Sequence, residues 1–168
     1  GIPNANEIHV VADGHDWSSQ ITENAVDDRY PAWTPDGSRV IWASYRGGDS
    51  TGIYSALPDG SDERLLRNAF GDVRDPQVSP DGTRIAYRAV APVDCIGGGC
   101  TALELFVVPV GPGGRVRLTT TFRGFSVSAP QWSRDGSKLL FASDSSGDWD
   151  IYSIPASGGA PTALVTEA

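Results

Sequence analysis

An Asp-Gly turn set between two apolar runs constrains this chain more than any other feature, because it comes three times with the same flanks. The first copy is Pro31-Ala32-Trp33-Thr34-Pro35-Asp36-Gly37-Ser38-Arg39, continuing as Val40-Ile41-Trp42-Ala43-Ser44. The second is Pro76-Gln77-Val78-Ser79-Pro80-Asp81-Gly82-Thr83-Arg84, continuing as Ile85-Ala86-Tyr87. The third is Pro130-Gln131-Trp132-Ser133-Arg134-Asp135-Gly136-Ser137-Lys138, continuing as Leu139-Leu140-Phe141-Ala142-Ser143. Proline presets φ at the first central turn position, Asp tolerates the second, and Gly accepts a positive φ without steric cost. Each copy therefore predicts strand, tight turn, strand. Arg134 replaces the turn proline of the third copy, but Asp135-Gly136 keep the turn. Along the first copy's second strand, Val40 and Trp42 face one way and Ile41 and Ala43 the other. Both sets are apolar, so this strand must be covered on both faces.

Two shorter strands follow each hairpin. Ile53-Tyr54 leads to Arg64-Leu65-Leu66, Leu105-Phe106 to Arg117-Leu118-Thr119, and Ile151-Tyr152 to Ala163-Leu164-Val165-Thr166. Ile8-His9 and Ile21-Thr22 match this outer pair ahead of the first hairpin. The aliphatic position recurs after 45, 52 and 46 residues, and the long middle step holds an insertion over residues 91–103. A period near 45 with four short strands per unit predicts an all-β chain, a β-propeller of four-stranded blades. The expected division is a half blade over 1–25 and blades over 26–68, 69–121 and 122–168. Three complete units and one half unit leave an apolar blade face bare and strand edges unpaired. The expectation is a fragment of a longer chain, or an assembly of chains that covers the open ends.

Composition narrows the partners. A net charge of −8 argues against nucleic acid, which needs clustered Lys and Arg. It suits a solvated acidic surface or cationic partners. No run of apolar residues is long enough for a membrane span. The start, Gly1-Ile2-Pro3-Asn4, carries no signal pattern, so either a signal was removed or the chain is a piece of a longer one. Cys95 and Cys100 bracket a glycine-rich loop that can bring them within disulfide range, which would place the chain in an oxidising compartment. The other reading is two free thiols. Zinc is disfavoured: the only histidines, His9 and His15, lie far off in the chain, and structural zinc takes four ligands.

Candidate sites are few. Asp27, Asp28, Asp72 and Asp75 precede or enter the innermost strands, which in a propeller rim the central channel. Gathered there, they would bind a hard cation such as calcium, or a basic peptide; ungathered, they are solvated carboxylates or local caps. The loop from Asp144 to Asp150 offers oxygen ligands at alternate positions but lacks the glycine and terminal Glu of an EF-hand, and reads as a repeat hairpin. Trp33, Trp42, Tyr87, Trp132 and Phe141 recur at matching positions and predict packing between blades. Trp17 and Trp149 fall in loops and are candidate partner contacts. No nucleophile elbow, triad or metal motif is present, and neither histidine has a nucleophile at a recognisable spacing.

The residues from Pro31 to Gly37, Pro76 to Gly82 and Pro130 to Gly136 resemble the TolB-type propeller repeat, together with Ala43-Ser44, Ala142-Ser143, Ile53-Tyr54, Ile151-Tyr152, Leu118-Thr119 and Val165-Thr166. The resemblance covers nearly the whole chain after Glu7. It implies a non-catalytic propeller module that is periplasmic or secreted and serves as an interaction scaffold for protein partners, such as envelope proteins. The alternatives it leaves open are the substrate-gating propeller of a prolyl-oligopeptidase-like hydrolase, whose catalytic domain would lie outside these residues, and a calcium- or ligand-binding propeller. No cofactor is required by the leading reading.

Overall fold

A computed structural model of the chain describes residues 5–11, 18–47, 50–92, 101–120 and 126–165. Fourteen strands and no helix are found among them. Accordingly, none of the described residues form a helix long and apolar enough to cross a membrane. The chain divides into two compact units, Gly1–Pro76 and Gln77–Ala168.

In the first unit, β1 (His9–Val11) pairs antiparallel with β2 (Ser18–Gln20) as a two-stranded sheet. The next sheet holds β3 (Asp28–Trp33), β4 (Val40–Gly47), β5 (Ser50–Ala56) and β6 (Arg64–Phe70) in sequence order. β4 is the strand expected to be apolar on both faces, and Ile41, Trp42, Ala43 and Ser44 have no exposed surface. Its Val40 and Trp42 meet Ile8 and Ile21, beside Ala56, Val10 and Tyr54. The half unit thus packs on the first full one through the alternation read from sequence.

Next comes β7 (Val73–Val78), which straddles the division and forms the edge of a sheet with β8 (Arg84–Pro92), β9 (Thr101–Pro109) and β10 (Val116–Arg117). β11 (Gln131–Trp132), β12 (Lys138–Ser143), β13 (Asp150–Pro155) and β14 (Thr162–Val165) make the last sheet. Ala86, Leu105, Val107 and Leu118 of one sheet pack on Leu139, Phe141 and Ile154 of the other. Unlike β4, β12 buries one face only: Leu139 is inaccessible while Leu140 is 39% exposed. Ala86 sits at Leu140's repeat position and is buried because another sheet covers it.

One aromatic pair recurs in each four-stranded sheet, directly across the second and third strands. Trp42 faces Tyr54, Tyr87 faces Phe106 and Phe141 faces Tyr152, with ring centroids 6.2, 5.6 and 5.7 Å apart. Burial of a large apolar side chain stabilises by about 1.5–3 kcal/mol, against about 0.5–1.5 kcal/mol for ring contact beyond burial. Burial therefore supplies most of the stability, and the pairs fix the register.

The turns owe their repetition to a carboxylate clasp. Asp36 accepts from the Thr34 hydroxyl at 2.6 Å and from the Ser38 amide and hydroxyl at 3.1 and 2.8 Å. Asp81 is held the same way by Ser79 and Thr83, and Asp135 by Ser133 and Ser137. The hydroxyl before each turn also accepts the amide of Arg39, Arg84 or Lys138. Gly37, Gly82 and Gly136 have φ of 69, 73 and 68°, the left-handed conformation the turn requires. These contacts hold Asp36, Asp81 and Asp135 at a pKa of about 2.

Candidate functional site

The four candidate carboxylates all lie in the first unit. Asp27 accepts from the Asn6 amide and side chain at 2.9 Å each, and pairs with Arg29 at 2.6 Å. The Asn6 hydrogen bonds, then Arg29, hold its carboxyl below the usual range. Asp27 and Arg29 are two positions apart, so on an extended strand both side chains fall on one face. Asp72 and Arg74 repeat this spacing, with Arg74 donating to Asp72 at 3.0 and 2.6 Å. Tyr45 adds a hydrogen bond to Asp72. Partial burial acts to raise the Asp72 pKa, but the Tyr45 and Arg74 hydrogen bonds outweigh it and the net shift is downward. Burial, then the Asp72 hydrogen bond and charge, push the Tyr45 phenol well above its ordinary range.

Asp28 is not on the surface. It lies in β3 with only 1% of its surface exposed. Its Oδ2 accepts from Asn24 at 2.6 Å and from Arg46 at 3.4 Å, while its buried Oδ1 has no hydrogen-bond partner among the described residues. Arg46 is shared with Glu63 and lies 4.7 Å from the Tyr54 ring centre. Asp75 sits inside β7 at φ 50°, immediately before Pro76. Tyr30, at the equivalent place before Pro31, has φ 57°. Side chains rarely adopt this region, and the next-residue proline restricts it further. The two innermost strands thus share a local distortion, accompanied in β3 by a register shift between Arg29 and Ala32.

Among the described residues no three His, Cys, Asp or Glu side chains are grouped to hold a metal ion. What the carboxylates do is pair with arginine and tyrosine. An open cleft of about 650 Å3 is lined by Asn6 to His9 and Asp28 to Pro31. The second unit holds a separate cavity of about 360 Å3, with Leu118, Val127, Phe141, Ser143, Ser145 and Tyr152 in its wall.

Trp149 is 56% exposed. Trp17, Cys95 and Cys100 lie outside the described residues. The Asp144 loop turns between β12 and β13: Asp144 accepts the Ser126 amide at 2.6 Å and Asp150 the Ser146 hydroxyl at 2.6 Å. Of the recurring aromatics, Trp42, Tyr87 and Phe141 are buried and Trp132 packs on the core, but Trp33 is 49% exposed, against the expectation of packing. Among the described residues the sheet that packs against this blade has two strands only.

Sequence reasoning missed a second clasp. Thr22 donates to Glu7 at 2.6 Å and accepts the Ile8 amide at 2.9 Å. Thr119 donates to Glu104 and accepts the Leu105 amide at 3.0 Å. Glu104 is inaccessible to solvent and also faces Arg117 at 3.3 Å. The signal was present as a Glu before the aliphatic residue of an outer strand, with a Thr closing the next one.

No protein-family model matches the sequence, and no curated protein matches it. Solved structures do. TolB from Acinetobacter baumannii is 18% identical with a TM-score of 0.72, the match covering 96% of this chain and 38% of that one. A TolB-type protein from Agrobacterium tumefaciens is 18% identical with a TM-score of 0.75, covering 97% of this chain and 56% of that one. A puromycin-hydrolyzing peptidase from Mycobacterium tuberculosis is 22% identical with a TM-score of 0.70, covering 96% and 26%. The chain therefore spans between a quarter and just over half of these structures' length. The four-stranded antiparallel sheets, their repeated turns and this likeness give the chain a TolB-type β-propeller fold, as three complete blades and one half blade.

Proposed function

We propose that this chain is a non-catalytic TolB-type propeller module, a protein-interaction scaffold working in an extracytoplasmic compartment. The observation that carries this reading is the pairing of the inner-strand acids. Asp27 is held ionised by Asn6 and Arg29, and Asp72 by Tyr45 and Arg74, giving a charged surface of fixed geometry. Trp149 adds an exposed aromatic anchor of the kind that dominates binding energy. The partners are proteins, envelope proteins among them, and association with further propeller repeats or with copies of the chain belongs to the same reading. A Cys95–Cys100 disulfide would accompany an oxidising compartment. Calcium is an optional ligand of Asp27, Asp28, Asp72 and Asp75, and no cofactor is required. Isothermal calorimetry with calcium showing heat together with a thermal shift would move the reading to a cation-binding propeller.

The test is retention of proteins from envelope and cytoplasmic extracts by the immobilised chain. The scaffold reading expects a defined envelope protein that is lost with Trp149→Ala or Arg74→Ala at unchanged folded fraction. Equal retention from both extracts overturns it. A second reading is the substrate-gating propeller of a hydrolase, favoured by the likeness to a peptidase of which this chain spans 26%. A hydrolase nucleophile elbow elsewhere in the parent polypeptide would select it.

A further inference from the structure

The recurring aromatic pair is capped by an arginine in the first two four-stranded sheets, and the cap comes from a different place in each. In the first, the Arg46 guanidinium of β4 lies 4.7 Å from the Tyr54 ring centre and pairs with Asp28 and Glu63. In the second, the Arg115 guanidinium, just ahead of β10, lies 4.7 Å from the Phe106 ring centre. Strand register relates the two. Counted from the paired aromatics, Ala91 of β8 stands in the place of Arg46, and Arg115 stands in the place of Glu63. The cover over the third-strand ring therefore recurs although the position that supplies it moves.

The last sheet has neither arginine. Ser145 stands in the place of Arg46, Pro161 in that of Glu63 and Arg115, and Val127 in that of Asp28. Among the described residues no guanidinium caps Tyr152. The cavity of about 360 Å3 opens at this point, with Val127, Ser145, Tyr152 and Pro161 in its wall and Leu118 contributed by the preceding sheet. Its described wall belongs wholly to the second unit and lies between two four-stranded sheets.

The wall also states the chemistry of an occupant. It carries no charged side chain among the described residues, and the carboxylates that hold Arg46 have no counterpart here, so a cation would leave water without a counter-charge. One polar group is built in. Ser143 is 2% exposed, its oxygen accepts the Ser145 amide at 3.3 Å, and its own O–H has no acceptor among the described residues. A buried hydroxyl in that state favours a ligand that brings an acceptor. The volume stands near the small end of ligand pockets, which suits a molecule of one or two rings.

We infer that this cavity between blades binds a small, neutral aromatic molecule bearing a carbonyl-type acceptor. Its ring lies against Tyr152, where the other blades put a guanidinium, and its acceptor takes the Ser143 hydroxyl. Ring contact and the apolar wall of Leu118 and Val127 supply affinity. The hydroxyl and the want of a counter-charge supply selectivity.

Three probes of similar shape separate these contributions. Benzamide is neutral and aromatic and carries a carbonyl, benzamidinium is the flat cation, and cyclohexanecarboxamide keeps the carbonyl without the aromatic ring. Each is titrated into the intact chain while the methyl signals of Leu118 and Val127 and the ring signals of Tyr152 are followed by nuclear magnetic resonance. Benzamide is expected to shift all three saturably and to bind more tightly than either of the others. Ser145→Arg and Pro161→Arg each put, at an exposed position, the arginine that a sibling blade already uses. Each should weaken benzamide binding at least about tenfold, with folded fraction checked by circular dichroism. Ser143→Ala should weaken it about threefold or more. No saturable shift with benzamide, shifts away from the cavity wall, or equal or tighter binding of benzamidinium or cyclohexanecarboxamide overturns the inference. So does benzamide binding that withstands both arginine substitutions, and undiminished binding in Ser143→Ala overturns the place given to the acceptor.

Discussion

Single residues hold this fold together through hydroxyl–carboxylate pairs. Thr119→Val removes the donor to a buried carboxylate and the acceptor for the Leu105 amide at once. A loss of about 1–3 kcal/mol is expected in urea denaturation. The turn aspartates give a pH signature. Their folded pKa of about 2 lies below the ordinary carboxylate value of 3.8, so the stability they contribute is full above the higher value and is lost as pH falls through the lower. Replacing Asp36, Asp81 and Asp135 together with Asn should lower the melting temperature at neutral pH and flatten its fall between about pH 4 and pH 2. The turn itself was legible in Asp-Gly, but its clasp was not, because the partners are hydroxyls two residues to either side. The pairing of Asp27 with Arg29 and of Asp72 with Arg74 was also missed. The Asp-x-Arg spacing that signals it places each pair on one face of an extended strand.

Among the elements, the third strand of each blade carries a position that each repeat fills to suit its own neighbours. Gly52 of β5 stands where β9 has Glu104, and a Cβ there would lie 2.5 Å from Tyr54 and 3.1 Å from Leu65. Tyr54 is itself engaged with the Trp42 ring and the Arg46 guanidinium, which resist its displacement. Gly52→Ala should therefore destabilise the chain by about 1–3 kcal/mol, read as a lower denaturation midpoint at unchanged slope. Strand order and register were legible from the alternation and the aromatic pairs. The positive φ at Tyr30 and Asp75 was not, because nothing in an Asx- or Tyr-Pro dipeptide requires it.

For the whole molecule, the sequence predicted a bare blade face, and β12 and β13 carry exposed Leu140 and Ile151 on the side of the sheet away from its core. Ile151→Lys should reduce binding of a hydrophobic dye while shifting stability by no more than about 0.5 kcal/mol, as expected for a surface position. The acidic charge was legible as solubility and as a barrier to nucleic acid; its division between paired and unpaired groups needed the three-dimensional neighbours.

The turn clasps also set how the protein ages. Asp-Gly sequences are the ones most prone to rearrange to isoaspartate, through attack of the glycine amide nitrogen on the neighbouring carboxyl. That attack needs a free amide and a protonated or mobile side chain. Here the Gly37, Gly82 and Gly136 amides donate to the Thr34, Ser79 and Ser133 carbonyls at 2.8, 2.8 and 2.9 Å, and each carboxylate is ionised and pinned by its hydroxyl partners. The motif most liable to chemical damage in an unfolded chain is thus protected by the contacts that make it a turn. Prolonged incubation of the folded chain should leave these three sites intact by peptide mapping, while the same incubation in denaturant converts them, so isoaspartate at Asp36, Asp81 or Asp135 becomes a record of time spent unfolded.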